Sequence, residues 1–184
     1  MLTFNLTPFP KLETNRLLLR QLTEADADRL FFLRSDAQVL KYIFREPAST
    51  IDEINSFIQT INRNVATNEN PYWAIALKEE PGKLIGTICI WNIRKEHYRA
   101  ELGYVLHPNY WGKGMMKEAI QTVIDYGFNQ LHLHSMEAVV DPGNIASVKT
   151  LESCGFVKEA HFKEDSLFRD QFKDTAIYSL LNKS

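Results

Sequence analysis

A mixed α/β (α+β) domain is what this sequence predicts, and three observations carry the prediction. Tyr72–Leu77 and residues 84–91 are short apolar runs parted by Glu79-Glu80-Pro81-Gly82-Lys83, a turn composition that points to an antiparallel meander. A strand-like stretch, residues 101–106, feeds a glycine-bearing turn and a long helical pattern, after which residues 134–140 are strand-like again. A helix set between strands of one sheet implies pairing of mixed direction. Finally, 184 residues at 45% apolar composition supply one ordinary core, so residues 1–184 are expected to form a single domain.

In chain order, Arg16-Leu17-Leu18-Leu19-Arg20-Gln21-Leu22 is an apolar run with basic flanks, expected as the first strand within residues 12–22. Thr23-Glu24-Ala25-Asp26 opens a helix. Thr23 caps it, and Asp26 returns the bond to the Thr23 backbone, a task more often given to Glu or Gln. Ala27, Leu30, Phe31 and Arg34 carry that helix to about Ser35. Residues 39–47 read as irregular and aromatic, with Tyr42 and Phe44. A second helix follows whose apolar face is Ile51, Ile54, Phe57, Ile58, Ile61 and Val65. Asn68-Glu69-Asn70-Pro71 ends it, and residues 94–99 are a charged connection into the strand at 101–106. After residue 140, Asp141-Pro142-Gly143-Asn144 leads into a short helix over residues 145–154, closed by Gly155 and N-capped by Asn144. Residues 159–172 and 175–181 are expected as two final strands joined by a polar stretch.

Composition excludes several classes. The formal charge of −2, from 21 basic and 23 acidic residues, argues against a general binder of nucleic acid or anionic membrane. There is no apolar run of membrane-spanning length and no basic-then-apolar leader, so a cytoplasmic protein is expected. Cys89 and Cys154 sit far apart in strand-like and helix-like surroundings and read as small buried hydrophobes in a reducing compartment. The five histidines form no pair at metal-ligand spacing with an acid, so no metal site is expected.

The chemistry concentrates in Tyr110-Trp111-Gly112-Lys113-Gly114-Met115-Met116-Lys117-Glu118-Ala119, directly after the central strand. Two close glycines at a helix start let successive main-chain N–H groups converge on one hollow, with the positive end of the helix dipole behind it. That geometry suits a phosphorylated ligand. The lysine and hydroxyl of a nucleoside-triphosphatase loop are not in register here, and a dinucleotide fingerprint would need a third glycine and a later acid. Read with Leu12-Glu13-Thr14-Asn15-Arg16-Leu17-Leu18-Leu19-Arg20, this decapeptide resembles the acetyl-CoA loop of the GNAT N-acetyltransferases. The nearest likeness is the branch that acetylates the N-terminal amine of ribosomal proteins (RimJ/RimL-like). The general pattern has Gln or Arg first and Gly or Ala last. Trp111 and Met116 stand there instead, departures that the ribosomal-protein branch shares.

A second segment, Asn144-Ile145-Ala146-Ser147 continuing to Gly155-Phe156, resembles the family's Asn-x-x-Ser/Ala…Gly-Phe stretch, and it lies in the expected order after the loop. The resemblance implies a mostly antiparallel sheet of about seven strands, splayed between its central strands and flanked by about four helices. It implies acetyl-CoA as cosubstrate, bound by Tyr104 and Leu106 from the strand, by Trp111, Gly112, Lys113, Gly114, Met115 and Met116 from the loop, and by Asn144 with Ser147. It places an acid on the central strand, where Glu101 stands, as the base that accepts the amine proton. Ser147 becomes the group that protonates the departing thiolate. The tyrosine acid of many members would fall at Leu151, which cannot serve. Each assignment has a plainer alternative. Glu101 can pair with Arg99, Asn144 and Ser147 can merely cap a helix, Lys113 can be a solvated lysine, and Tyr42 and Phe44 can be core rather than an acceptor pocket. The implied partner is a primary amine, either a protein N-terminus or a small molecule such as a polyamine, aminoglycoside or amino acid. A silent acyl-CoA-binding module is the rival reading, and either a monomer or a homodimer is compatible.

Overall fold

The computed structural model describes residues 1–183. One eight-stranded sheet runs in the order β1 (Leu12–Glu13), β2 (Leu17–Gln21), β3 (Tyr72–Leu77), β4 (Glu80–Arg94), β5 (Arg99–Leu106), β6 (Ser135–Val140), β8 (Gln171–Leu181), β7 (Val157–Phe168). All neighbours are antiparallel except β5 and β6, which the helix crossover makes parallel. Five α-helices accompany it: α1 (Ala27–Ser35), α2 (Ala37–Leu40), α3 (Ile51–Ala66), α4 (Met115–Asn129) and α5 (Ile145–Ser153). The mixed sheet and its two covered faces agree with the sequence expectation. The strand and helix beyond the expected numbers are the shortest elements. β1 is two residues long, and α2 is a single turn begun by Asp36, whose carboxylate accepts from the N–H groups of Gln38 and Val39.

Each sheet face carries its own core. On one, α4 and α5 bury Ile120, Val123 and Leu151 against Trp73, Ile88, Ile90, Leu102 and Met136. On the other, α1 and α3 bury Leu30, Leu33, Ile54 and Ile58 against Tyr72 and Ala74, with Cys89 and Val105 packed at the margin. Residue alternation along β5 therefore sends Ala100 and Leu102 to the α4 face and Glu101, Gly103 and Val105 to the α1–α3 face. The Cys89 thiol is pushed up to about 12, chiefly by burial, which leaves it an inert packing group.

The helix signals read from sequence hold in detail. The Asp26 carboxylate accepts from the Thr23 N–H at 2.9 Å, although the first turn after Thr23 is 3₁₀ rather than α. The same buried carboxylate takes two bonds from the Arg20 guanidinium, at 2.8 and 2.6 Å. Gly155 ends α5 at φ 92°, with the Phe156 N–H reaching the Leu151 carbonyl at 3.1 Å and the Gly155 N–H reaching Glu152 at 3.0 Å. Two boundaries are corrected. β4 begins at Glu80, where it pairs with Leu77, so the turn expected over 79–83 closes at Lys78 and Glu79. The final hairpin turns at Arg169 and Asp170, both in the left-handed region (φ 49° and 56°), so 171–172 belong to β8 and not to the strand before it, and 173–174 belong to β8 and not to a connection. Two adjacent left-handed residues make the tight turn whose twist matches a hairpin, and they need neither glycine nor proline to announce it.

Candidate active site

β5 and β6 pair only through Arg99–Ser135, Ala100–Met136 and Glu101–Glu137, then part company. Beyond that vertex β6 stays with β8 as far as Val140–Ala176, while β5 stays with β4 as far as Leu106–Gly86. The result is a V-shaped opening with one backbone edge of β5 left free. The His107 N–H bonds to Ile85 of β4 at 2.8 Å, so by strand alternation the N–H groups of Leu106 and Tyr104 face the opening. The approach of β4 here depends on Gly86, where a Cβ would stand 2.6 Å from the Val105 carbonyl oxygen.

The loop from β5 to α4 forms the mouth. Gly112 and Gly114 both adopt left-handed backbone (φ 70° and 73°), which explains glycine at each. Gly114 is also the N-cap of α4 and offers no side chain. The first-turn N–H groups of Met115, Met116 and Lys117 therefore have no intrahelical partner and point out of the helix end. Met115 and Met116 pack their side chains on the core and anchor that end. Trp111 is turned to a structural use, its indole N–H donating to the Leu106 carbonyl at 2.7 Å. Lys113 folds back, its ammonium donating to the Asn109 carbonyl at 2.8 Å and lying near the Tyr110 ring.

A brace under this loop carried no signal in the sequence. Arg16, in the turn between β1 and β2, donates to the Lys113 carbonyl at 3.0 Å and grips Glu118 of α4 at 2.7 and 2.8 Å. Its own backbone N–H and the Thr14 hydroxyl bond the other Glu118 oxygen. The carboxylate is held below its usual range by these bonds, against the upward push of burial.

On the far side of the opening, the Asn144 side-chain oxygen accepts from the Ser147 N–H at 3.2 Å and caps α5. Its side-chain NH₂ has no partner among the described residues. The capping role and a ligand-binding role thus use different atoms of one side chain. The Ser147 and Tyr104 hydroxyls meet at 2.7 Å across the opening, joining α5 to β5. Burial pushes the Tyr104 phenol up to about 12. Leu151 is fully buried core, in keeping with its unsuitability as an acid.

Glu101 stands at the vertex, on the opposite sheet face from Tyr104. It makes no ion pair among the described residues. Arg99, its expected alternative partner, is committed to Glu137 at 2.6 Å and to the Ser179 hydroxyl at 2.9 Å, and Arg94 also holds Glu137. The Glu101 carboxyl is raised above its ordinary value, first by burial and further by Glu137, while Asn92 and Arg94 pull it down. Tyr42 and Phe44 join neither core. Tyr42 lies against the turn before Asn144, with Cε1 3.6 Å from where a Gly143 Cβ would be, and Phe44 stacks on Phe168 of the β7–β8 tip.

A family model described as an acetyltransferase (GNAT) domain matches residues 16–157, a span that includes the opening, the glycine loop and the start of α5. The chain belongs to the GNAT acetyltransferase family. It is an N-acetyltransferase, and acetyl-CoA is the acyl donor that the family uses. Among its relatives, an uncharacterized N-acetyltransferase p20 of Bacillus licheniformis is 38% identical over 94% of this chain and 96% of its own. A solved ribosomal-protein-S5-alanine acetyltransferase from Vibrio fischeri is 26% identical at TM-score 0.83, covering 95% of this chain and 97% of that one. A spermidine N-acetyltransferase from Vibrio cholerae, solved with CoA and spermine, is 27% identical at TM-score 0.80, covering 91% and 96%. GNAT relatives of both acceptor kinds are therefore similar to this chain. Among the described residues, no helix is long and apolar enough to cross a membrane, and no group of three or more side chains suits a metal ion.

Proposed function

We propose that this GNAT enzyme transfers acetyl from acetyl-CoA directly to a primary amine of moderate basicity, a protein N-terminal α-amine in the first place. The observation that carries the proposal is Glu101, a half-buried carboxylate without an ion pair at the point where the sheet opens. An α-amine titrates near 8 and is already partly neutral at pH 7, so a carboxylate whose pKa burial raises suffices to accept its proton, directly or through one water. A side-chain amine near 10.4 would need a stronger base. The similarity to a ribosomal-protein-alanine acetyltransferase supports the same acceptor.

The thioester of acetyl-CoA supplies the activated acetyl group. Its diphosphate would rest on the N–H groups of Gly112 to Met116, and its pantetheine arm would accept from the Asn144 NH₂. The Leu106 N–H, facing the opening, is the donor for oxygen charge that builds up during attack. Ser147 donates a hydrogen bond to the sulfur as the C–S bond breaks. Tyr104, which keeps its proton at neutral pH, donates to Ser147 and frees the serine proton for that task. A small amine is the second reading, favoured by the similarity to the spermidine enzyme. A panel of N-terminal peptides and small amines, scored by mass shift and thiol release, should show peptides modified at the α-amine. Turnover confined to small amines would replace the first acceptor with the second, and thiol release with neither would leave no amine acceptor at all.

A further inference from the structure

The α1–α3 side of the opening, where an acceptor would enter, carries guanidinium groups with nothing to neutralise them. Arg34, in the last turn of α1, lies over the Phe57 ring with its Cζ 3.9 Å from the centroid. Arg45 follows α2 on an exposed segment. Neither guanidinium has an ion pair or hydrogen bond among the described residues, yet both line one cavity of about 340 Å³. The two feel each other: burial and the neighbouring Arg45 both lower the Arg34 pKa. Of the acids on the same wall, Glu46 is paired with Arg169 at 2.7 Å, and Glu53 accepts the Ser49 N–H at 3.0 Å and forms an ion pair with neither arginine. The cavity is lined by Arg34 of α1 and by Glu53 and Ile54 of α3, the helices that cover the sheet face bearing Glu101. An adjacent cavity of about 210 Å³, under the β7–β8 tip, adds Lys41, Arg169 and Lys173 against the single acid Asp141.

A partly buried arginine such as Arg34 is costly unless an anion meets it, and the like charge of the exposed Arg45 beside it adds repulsion. An acceptor that brought only cations, as a polyamine does, would add repulsion on this face. We propose that the acceptor carries an oxyanion, carboxylate or phosphate, together with its amine, and that Arg34 and Arg45 hold that oxyanion while the amine faces Glu101. This rests on the acetyltransferase reading above and narrows its acceptor to anionic amines. Guanidinium forks suit both oxyanions, so the shared chemistry is what the site recognises.

The test uses the whole enzyme with a set of peptides that share one N-terminus and differ at a single downstream residue: Glu, phosphoserine, Gln or Lys. Serine, serinamide and spermidine complete the set. We expect KM for the Glu or phosphoserine peptide to fall about tenfold below that of the Gln peptide, with the Lys peptide and spermidine poorer still. The larger of the two gains names the oxyanion. Arg45→Gln, at an exposed position, should bring the acidic-over-neutral ratio close to one through KM, and Arg45→Glu should invert it, with acetyl-CoA affinity by calorimetry as the folding control. Equal KM values for Glu, Gln and Lys peptides, a preference for spermidine, or an acidic preference that survives Arg45→Glu would overturn the inference while leaving acetyl transfer intact. Serine favoured over serinamide with all peptides silent would keep the anion site and discard the N-terminal acceptor. No acetylation of any amine would instead count against the reading on which both depend.

Discussion

The two faces of the sheet handle charge in opposite ways. On the α4 face two basic side chains at the loop are met within the chain: Arg16 serves Glu118 and a loop carbonyl, and Lys113 is spent on Asn109. What is left free there is mostly main chain, the N–H groups at the start of α4 and on the β5 edge, with the uncharged Asn144 NH₂ beside them. On the α1–α3 face the free groups are side chains: Glu101, Arg34 and Arg45. Main-chain donors bind whatever the neighbouring residues are, so that face suits the one donor molecule that a whole family shares. Side-chain recognition changes with each substitution, which suits acceptors that differ from relative to relative. The separation is sharp enough to be broken experimentally.

The largest effect is expected at Glu101. Glu101→Gln should lower kcat about 100-fold with acetyl-CoA affinity retained. In the parent enzyme, kcat/KM should fall on the acid side with an apparent pKa above that of an ordinary carboxylate, and the Gln variant should lose that limb. Because the folded-state pKa is raised, the native state binds the extra proton, and the ionised group opposes folding above that pKa. Glu101→Gln should therefore leave the melting temperature at pH 7 unchanged or higher. A lower one would mean that the carboxylate supports structure and not chemistry.

Asn144 allows a finer cut within the α4 face, between a helix cap and a ligand contact. Asn144→Asp keeps the oxygen that caps α5 and removes the free NH₂, so acetyl-CoA affinity should drop about tenfold by calorimetry with no loss of thermal stability. Asn144→Ala should lose both, the cap being worth about 1 kcal/mol. Equal affinity for the Asp variant and the parent would reduce this residue to a helix cap. The smallest effect belongs to the brace. Arg16→Met should weaken acetyl-CoA about fivefold by loosening the loop, while an exposed ion pair of this kind contributes under about 1 kcal/mol to stability. Altered acceptor KM without altered acetyl-CoA affinity would contradict the division between the faces.

Much of the glycine loop and of the turn at Asn144 was legible because their backbone requirements are local. Positive φ at Gly112 and Gly114, a cap at Asn144 and a glycine stop at Gly155 each leave their mark at one position in the chain. The Arg16–Glu118 brace was not legible. It spans 102 positions, and neither residue type announces a partner. Tyr104 and Ser147 were each singled out, but their contact across the opening depends on where β6 leaves β5. The pairing of Glu101 with Arg99 was a fair expectation from their spacing, and it gave way because Glu137, brought alongside by the parallel crossover, is the better placed carboxylate. The last hairpin was misplaced because a turn of two left-handed non-glycine residues has no compositional flag.

By itself the sequence determined the elements, their order, the two apolar faces and the loop that marks a GNAT enzyme, since periodicity and backbone permissiveness act over a few residues. Tertiary structure alone decided which charges would be satisfied and which would be left without an ion pair. Compensation between charges is a matter of distance in space, and the chain folds Glu137 onto Arg99 while leaving Arg34 and Arg45 to face a cavity.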